Sequence, residues 1–218
     1  MLHMRNIIRI FIALIFVGIV CGQPAWAQQA AGQVERQKGT ASRSAVGATS
    51  DLAQGSQVFV GDEIRTGPGA RLLIRFDDES NLTLGENARI TINEFVYEPN
   101  GESNQALAIV VGVFRFISGR IGNESPLDVA FSTPVATIGL RGTEFLGGEL
   151  TVGMPVGQPH YGFQINDGAI EVISPGGSVL LDEAGEGTFL PLTGVAAPTP
   201  VRQWTAEEAA EAVDALAF

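Results

Sequence analysis

Arg71–Leu84 reads RLLIRFDDESNLTL, two short alternating stretches on either side of a polar turn. In Arg71–Phe76, Leu72, Ile74 and Phe76 point one way while Arg71, Leu73 and Arg75 point the other, the period of two of a half-buried strand. Asp77-Asp78-Glu79-Ser80 has turn composition, and beyond it Leu82 and Leu84 flank Thr83 in the same manner. Two such runs joined by a short polar turn predict a hairpin. Outward from it the same signals recur about every ten residues, at Gly47, Gly61-Asp62, Gly67-Pro68-Gly69, Gly85-Glu86-Asn87, Pro99-Asn100-Gly101 and Gly119. Ile90 and Ile92 alternate with Arg89, Thr91 and Asn93. Further strands are expected at Leu127–Phe131, Val135–Leu140, Thr143–Leu146, Tyr161–Ile165, Ala169–Ile173, Ser178–Leu181 and Gly187–Leu190. Ala106–Ile117 is apolar on both faces apart from Arg115 and rich in Val and Ile, so it is expected as one central strand buried on both sides. The fold class that follows is all-β: a stacked or rolled antiparallel sheet, β-roll or solenoid-like in its turn spacing, without an exact internal repeat.

Composition agrees. Of 218 residues 45 % are hydrophobic and 17 % charged, too apolar for disorder, and 27 Gly with 11 Pro suit many strands joined by tight turns. A net charge of −11 excludes a nucleic-acid partner, since no cation excess replaces phosphate counterions. Two His and one Cys exclude chemistry that needs several of either.

The N-terminus has the layout of an export signal. Met1–Arg9 carries Arg5 and Arg9 and no acid, Ile10–Val20 is an unbroken apolar or glycine run, and Ala25-Trp26-Ala27 supplies a small-x-small site. Residues 1–27 are therefore expected to be a signal peptide cut after Ala27, giving a periplasmic or secreted chain that begins at Gln28 and has no stable membrane span. An uncleaved anchor would need ~20 apolar residues, and acylation at Cys21 would want a leucine and a small residue upstream, where Gly18-Ile19-Val20 stands. Removing residues 1–27 takes two of 13 cations and none of 24 acids, leaving a net charge of −13, no cysteine, and His160 as the last histidine. Without disulfides such a chain must rely on its hydrophobic core. Residues 28–33 form a small polar leader, 34–192 the β-domain and 193–203 a Pro/Ala linker; 204–218 form an acidic helix, with Thr205 as N-cap and Glu208 closing a capping box, that either docks back on the sheet through Trp204 or projects as a tail.

No catalytic constellation is visible. His160 follows Gly157-Gln158-Pro159 and is expected as a lone surface histidine whose removal changes nothing; no Gly-x-Ser-x-Gly elbow is present. Asp77-Asp78-Glu79-Ser80-Asn81 starts like a calcium loop but has Leu82 and Ala88 where an EF-hand needs Gly and Glu, so a solvated turn is expected, and the acids around Gly185 are similar. Gly61-Asp62 and Gly67-Pro68-Gly69 are turn chemistry, with no phosphate-binding lysine after them. Neither enzyme activity nor a metal nor a cofactor is expected.

Several motifs resemble one family. Val60-Gly61-Asp62-x-Ile64-x-Thr66-Gly67, Ala70-Arg71-Leu72, Phe76-x-Asp78-x-Ser80-x-Leu82-x-Leu84 and Thr133-Pro134-Val135-Ala136-Thr137-Ile138-Gly139-Leu140-Arg141-Gly142-Thr143-Glu144-Phe145 are similar to the FecR domain, over roughly Val34–Pro175. That is the extracytoplasmic domain of regulators that relay ferric-citrate and other siderophore signals to a sigma factor. The resemblance implies an all-β domain outside the cytoplasm that works by protein contact. It marks Gly61, Asp62, Thr66, Gly67, Thr133, Pro134, Gly139, Arg141, Gly142, Thr143 and Phe145 as structural or interaction residues. Two departures stand out: only nine residues precede the apolar run, where the signalling members carry a cytoplasmic helical domain, and Glu79 stands where the family has glycine in a φ > 0 turn.

Two functions stay open. One is a protein-interaction or sensing module of the envelope, whose partner is another exported protein. The other is a periplasmic or surface ligand- or glycan-binding protein, which the scarcity of Trp and Tyr makes the weaker. Ala136, Ile138 and Leu140 share one face but Phe145 has the other parity, so a bulge is expected at Arg141-Gly142, with Gly142 at φ > 0 and Arg141 paired to Glu144 or another acid.

Overall fold

The computed structural model describes residues 28–45, 47–98, 101–124, 128–153, 159–192 and 195–218; the expected export signal, residues 1–27, lies outside them. The alternating stretches become β1 (Ala30–Lys38), β2 (Ala41–Ala45), β3 (Ala48–Asp51), β4 (Gln57–Phe59), β5 (Glu63–Thr66), β6 (Arg71–Phe76), β7 (Asn81–Leu84) and β8 (Arg89–Val96). They continue as β9 (Asn104–Val111), β10 (Val113–Ile117), β11 (Val129–Ser132), β12 (Thr137–Leu150), β13 (His160–Ser174), β14 (Gly177–Leu181), β15 (Glu186–Pro191) and β16 (Arg202–Gln203). Two helices complete the described residues, α1 (Arg120–Glu124) and α2 (Ala206–Asp214). The protein is all-β with a short C-terminal helix, a sheet curled into a half-barrel.

The hairpin read from Arg71–Leu84 is present: β6 and β7 pair antiparallel with Leu72 opposite Leu84 and Ile74 opposite Leu82. Its turn holds Glu79 at φ 71, the backbone that favours glycine.

Strand order is β3-β2-β5-β8-β9-β11-β12-β10-β7-β6-β1-β4. The register explains the curl. β12 pairs along its whole length with β13, while on its other edge Thr137–Gly139 bond to β11 and Glu144–Gly148 to β10. One strand thus carries two arms of sheet on one edge, and a bend between the two halves folds those arms face to face. Phe131 of the first arm meets Phe114 and Phe116 of the second at ring-centroid distances of 5.8 and 4.6 Å, with Phe145 of β12 against all three. Each fully buried phenylalanine contributes ~1.5–3 kcal/mol by transfer from water.

Four expectations need correction. Ala106–Ile117 is two strands, because Gly112 at φ 93 ends β9 and sends the chain into the opposite arm as β10. The pairs Val135–Leu140 with Thr143–Leu146 and Tyr161–Ile165 with Ala169–Ile173 are each one long bent strand, β12 and β13, since the bulge residues keep the hydrogen-bond ladder on both sides. The pairing of β11 with β9 is parallel, within an otherwise antiparallel sheet. The C-terminal helix stops at Asp214, and helix α1 had no sequence signal.

α2 begins as expected: Thr205 accepts from the Glu208 N–H, and Glu208 accepts from the Thr205 N–H at 2.8 Å. Trp204 stacks on Phe189 at 4.9 Å, and Ala212 and Leu216 pack with Leu146 and Leu150, making a second small core on the outer face of β12. Arg202 donates to both Glu208 oxygens, which with the capping bonds outweighs burial and holds the Glu208 carboxyl near a pKa of about 2, against an ordinary 4.5. Because the folded value lies below the unfolded one, this stabilisation is full above pH 4.5 and is lost as pH falls toward 2. Glu208→Gln should therefore lower stability at neutral pH by about 1–2 kcal/mol and flatten the acid limb of the melting temperature–pH profile. Melting curves across that range check it, and an unchanged acid limb would contradict it.

Candidate interaction site

The motif residues divide into architecture and surface. Gly61 sits at φ 87 and its N–H reaches the Ile92 carbonyl at 2.8 Å. Asp62, fully buried, accepts from the Phe59 N–H at 2.9 Å and from Arg43 Nη1, so it ties the β4–β5 turn to β2. Thr66 Oγ1 donates to the Gly85 carbonyl at 2.7 Å and accepts from the Ala88 N–H, while the Gly67 N–H reaches the Thr40 carbonyl. Thr133 closes the Thr133-Pro134 turn into β12: its hydroxyl donates to the Ala136 carbonyl and accepts from the Ala136 N–H. Pro134 is exposed beside it.

The expected bulge is in place. The β12–β13 register shifts between Arg141 and Glu144, and Gly142 has φ 54. Thr143 pins the bend, its hydroxyl accepting from the Arg141 N–H at 3.0 Å and donating to the Ala169 carbonyl at 2.9 Å. Past it Phe145 returns to the core at 0 % exposure. Opposite the bulge, Gly168 at φ 80 lies so near that a Cβ there would overlap the Gly142 carbonyl.

Arg141 does not pair with Glu144. Glu144 instead accepts from Arg115 at 2.6 Å and from Asn166 at 2.9 Å, which against the opposing effect of burial lowers its pKa. The guanidinium of Arg141 has no carboxylate within ion-pair distance among the described residues. It lies exposed on the outer face of β12, in a groove of about 630 Å3. The floor of that groove is small, Ala130, Gly139 and Ala169, and its far wall is Ile173 and Leu180, 44 % and 55 % exposed. β14, which carries Leu180, bonds to β13 on one edge only, and its sequence Gly-Ser-Val-Leu-Leu holds no charge. An uncharged open edge beside exposed aliphatic side chains is the arrangement proteins use to add a partner strand. Of the groove only Gly139 and Arg141 were singled out from the sequence; Ile173 and Leu180 were missed because alternation shows which residues share a face, not whether that face is covered.

Two other readings change. His160 is buried, not on the surface: it opens β13, its ring is edge-on to Phe189 at 4.9 Å, and Nε2 lies 3.0 Å from the Val152 carbonyl. The turn from Asp77 to Asn81, expected to be solvated, holds Asp78 buried, accepting from the Ser80 N–H and hydroxyl and from the Ile121 N–H. Its oxygens thus hold the turn to α1. Among the described residues no three His, Cys, Asp or Glu side chains gather to hold a metal, and no helix is long and apolar enough to cross a membrane.

Comparison with known proteins agrees with this architecture. No curated protein matches the chain. Two crystal structures, each of a candidate anti-sigma factor from Parabacteroides distasonis, are similar in fold, with TM-scores of 0.51 and identities of 15 % and 14 %. Each similarity covers 67 % of this chain and 62 % of the solved one. The family described as FecR protein matches from the Asp62 turn through β5 to β12, the Arg141-Gly142 bend included, and it is over these residues, 62–156, that the chain is similar to that family.

Proposed function

We propose that this chain is an exported, non-catalytic protein-interaction or sensing module of the bacterial envelope, and that its contact surface is the outer face of β11–β14. The observation that carries the proposal is the exposed pair Ile173 of β13 and Leu180 of β14, beside the open edge of β14, with Arg141, Glu171 and Asp182 around them in the same groove. The match to the FecR family and the fold shared with candidate anti-sigma factors support a regulatory setting in which this domain makes contacts outside the cytoplasm. The N-terminal layout of charge, apolar run and Ala25-Trp26-Ala27 supports the address. A glycan-binding role gains nothing from the groove, which no aromatic side chain lines.

Cross-linking in cells followed by capture of the tagged protein tests the proposal. A reproducible exported partner that is lost on Leu180→Asp, with melting unchanged, is the expected result. Failure to recover any such partner with the native chain would overturn it. N-terminal sequencing of the same sample is expected to begin at Gln28.

A further inference from the structure

Acids outnumber Lys and Arg in this chain 24 to 13. In the described residues five arginines are held by carboxylates: Arg43 by Asp62, Arg65 by Glu63, Arg115 by Glu144, Arg120 by Glu79 and Arg202 by Glu208. Of the cations without an ion pair in the described residues, three arginines and Lys38 fall on a single ladder. The β1–β6 register places Lys38 opposite Arg71, Arg36 opposite Leu73 and Gln33 opposite Arg75. The residues between them, Val34, Leu72 and Ile74, are buried in the core, so the cations share the outer face. Only Glu35, exposed at the β1 bulge, puts a carboxylate on the same stretch of β1.

Stability does not account for the whole row. Lys38 and Arg71 are like charges directly opposite on neighbouring strands, a destabilising arrangement, and a chain with so many acids has ample carboxylates to interleave. Two of the side chains are steadied by the end of the C-terminal segment: Arg36 lies over the Phe218 ring at 4.4 Å, and Arg71 Nη2 donates to the Asp214 carbonyl at 3.4 Å. Lys38 and Arg75 are exposed and their charged groups make no hydrogen bond within the described residues.

We propose that the outer face of β1 and β6 docks an extended acidic segment of a protein partner; this rests on the reading of the chain as a protein-interaction module. Arg36 and Lys38, two residues apart on β1, stand ~7 Å apart, the spacing of alternate carboxylates on an extended chain, and Arg71 lies ~5 Å across the ladder from Lys38. Half-buried Leu73 gives the centre of the patch an apolar contact. A membrane surface fits less well, because none of the exposed large hydrophobic residues lies on β1 or β6 to anchor a lipid contact. With the whole protein acidic, attraction is local and confined to a screening length, so it is strongly salt-dependent.

The test uses the purified full chain and a fluorescent alternating Glu-Thr peptide, followed by anisotropy at about 0.01 M and about 0.15 M salt, where the screening length falls from ~30 to ~8 Å. The peptide should bind at low salt, weaken about tenfold at the higher salt, and weaken about tenfold in Lys38→Glu/Arg75→Glu without loss of melting temperature. Equal binding by the double variant, no binding at low salt, or binding of phosphatidylglycerol vesicles in place of the peptide would overturn the proposal. Cross-linked capture separates it from the reading beneath it. A partner kept by the double variant but lost with Leu180→Asp removes this surface and leaves the interaction module standing, whereas no partner with the native chain removes the module itself.

Discussion

Gly168→Ala should unfold the domain at temperatures where the native chain is stable. The added methyl would overlap the Gly142 carbonyl across the β12–β13 ladder, and the residue is held at φ 80. Backbone strain and overpacking together are expected to cost about 3–5 kcal/mol, a drop of roughly 10 °C for a chain this size. Gly142 is the instructive contrast. It too has a positive φ, 54, but a Cβ there meets nothing nearer than Asn123 Oδ1 at 3.7 Å. Gly142→Ala should therefore cost only about 1–2 kcal/mol, the price of the left-handed backbone, with Gly142→Val costing more because it is β-branched. Thermal melts of the variants decide it: equal losses at the two positions would mean that backbone conformation alone, not the close approach of the strands, sets the bend.

Phe145→Ala is the second large effect. Phe145 is fully buried and touches Phe114, Phe116 and Phe131 at centroid distances of 5.5, 6.2 and 5.3 Å, joining the spine to both arms. Truncating it leaves a cavity no single neighbour can fill, and about 3–5 kcal/mol should be lost in denaturant titration. Phe145→Leu, which retains much of the volume, should lose about half of that. His160→Ala belongs in the same series. Its ring packs on Phe189 beneath the C-terminal segment, so a stability loss replaces the neutrality expected of a surface histidine.

What could be read from the sequence was local. Leu72, Ile74, Phe76, Leu82 and Leu84 announced their shared face by alternation, and all five are buried. The parity change between Leu140 and Phe145 placed the bulge correctly, and Thr205 and Glu208 announced the helix cap. Pairing across long separations was not legible. Nothing in Val129–Ser132 says that it runs parallel to Asn104–Val111, and nothing near Gly142 names Gly168 as its neighbour. The apolar run before Arg115 hid the break at Gly112, because both halves are hydrophobic and a lone glycine inside such a run marks a bulge within one strand as readily as a break between two. Arg141 was read through the nearest acid in sequence, Glu144, whereas strand geometry turns that carboxylate toward Arg115.

The attachment of both arms to one edge of β12 bears on how the domain is made. β1 to β10 supply nearly all of both arms, yet the strand that joins them begins only at Thr137, and its partner β13 ends at Ser174. A chain emerging from its N-terminus can bring the arms together through contacts such as Phe76 on Phe95, but the edge that joins them, and the Phe145 side chain between them, arrive only with those residues. Such late, long-range closure makes folding slow and leaves sticky intermediates in the meantime. A chain cut short before β12 therefore yields two unsealed sheets that aggregate, rather than a smaller working domain.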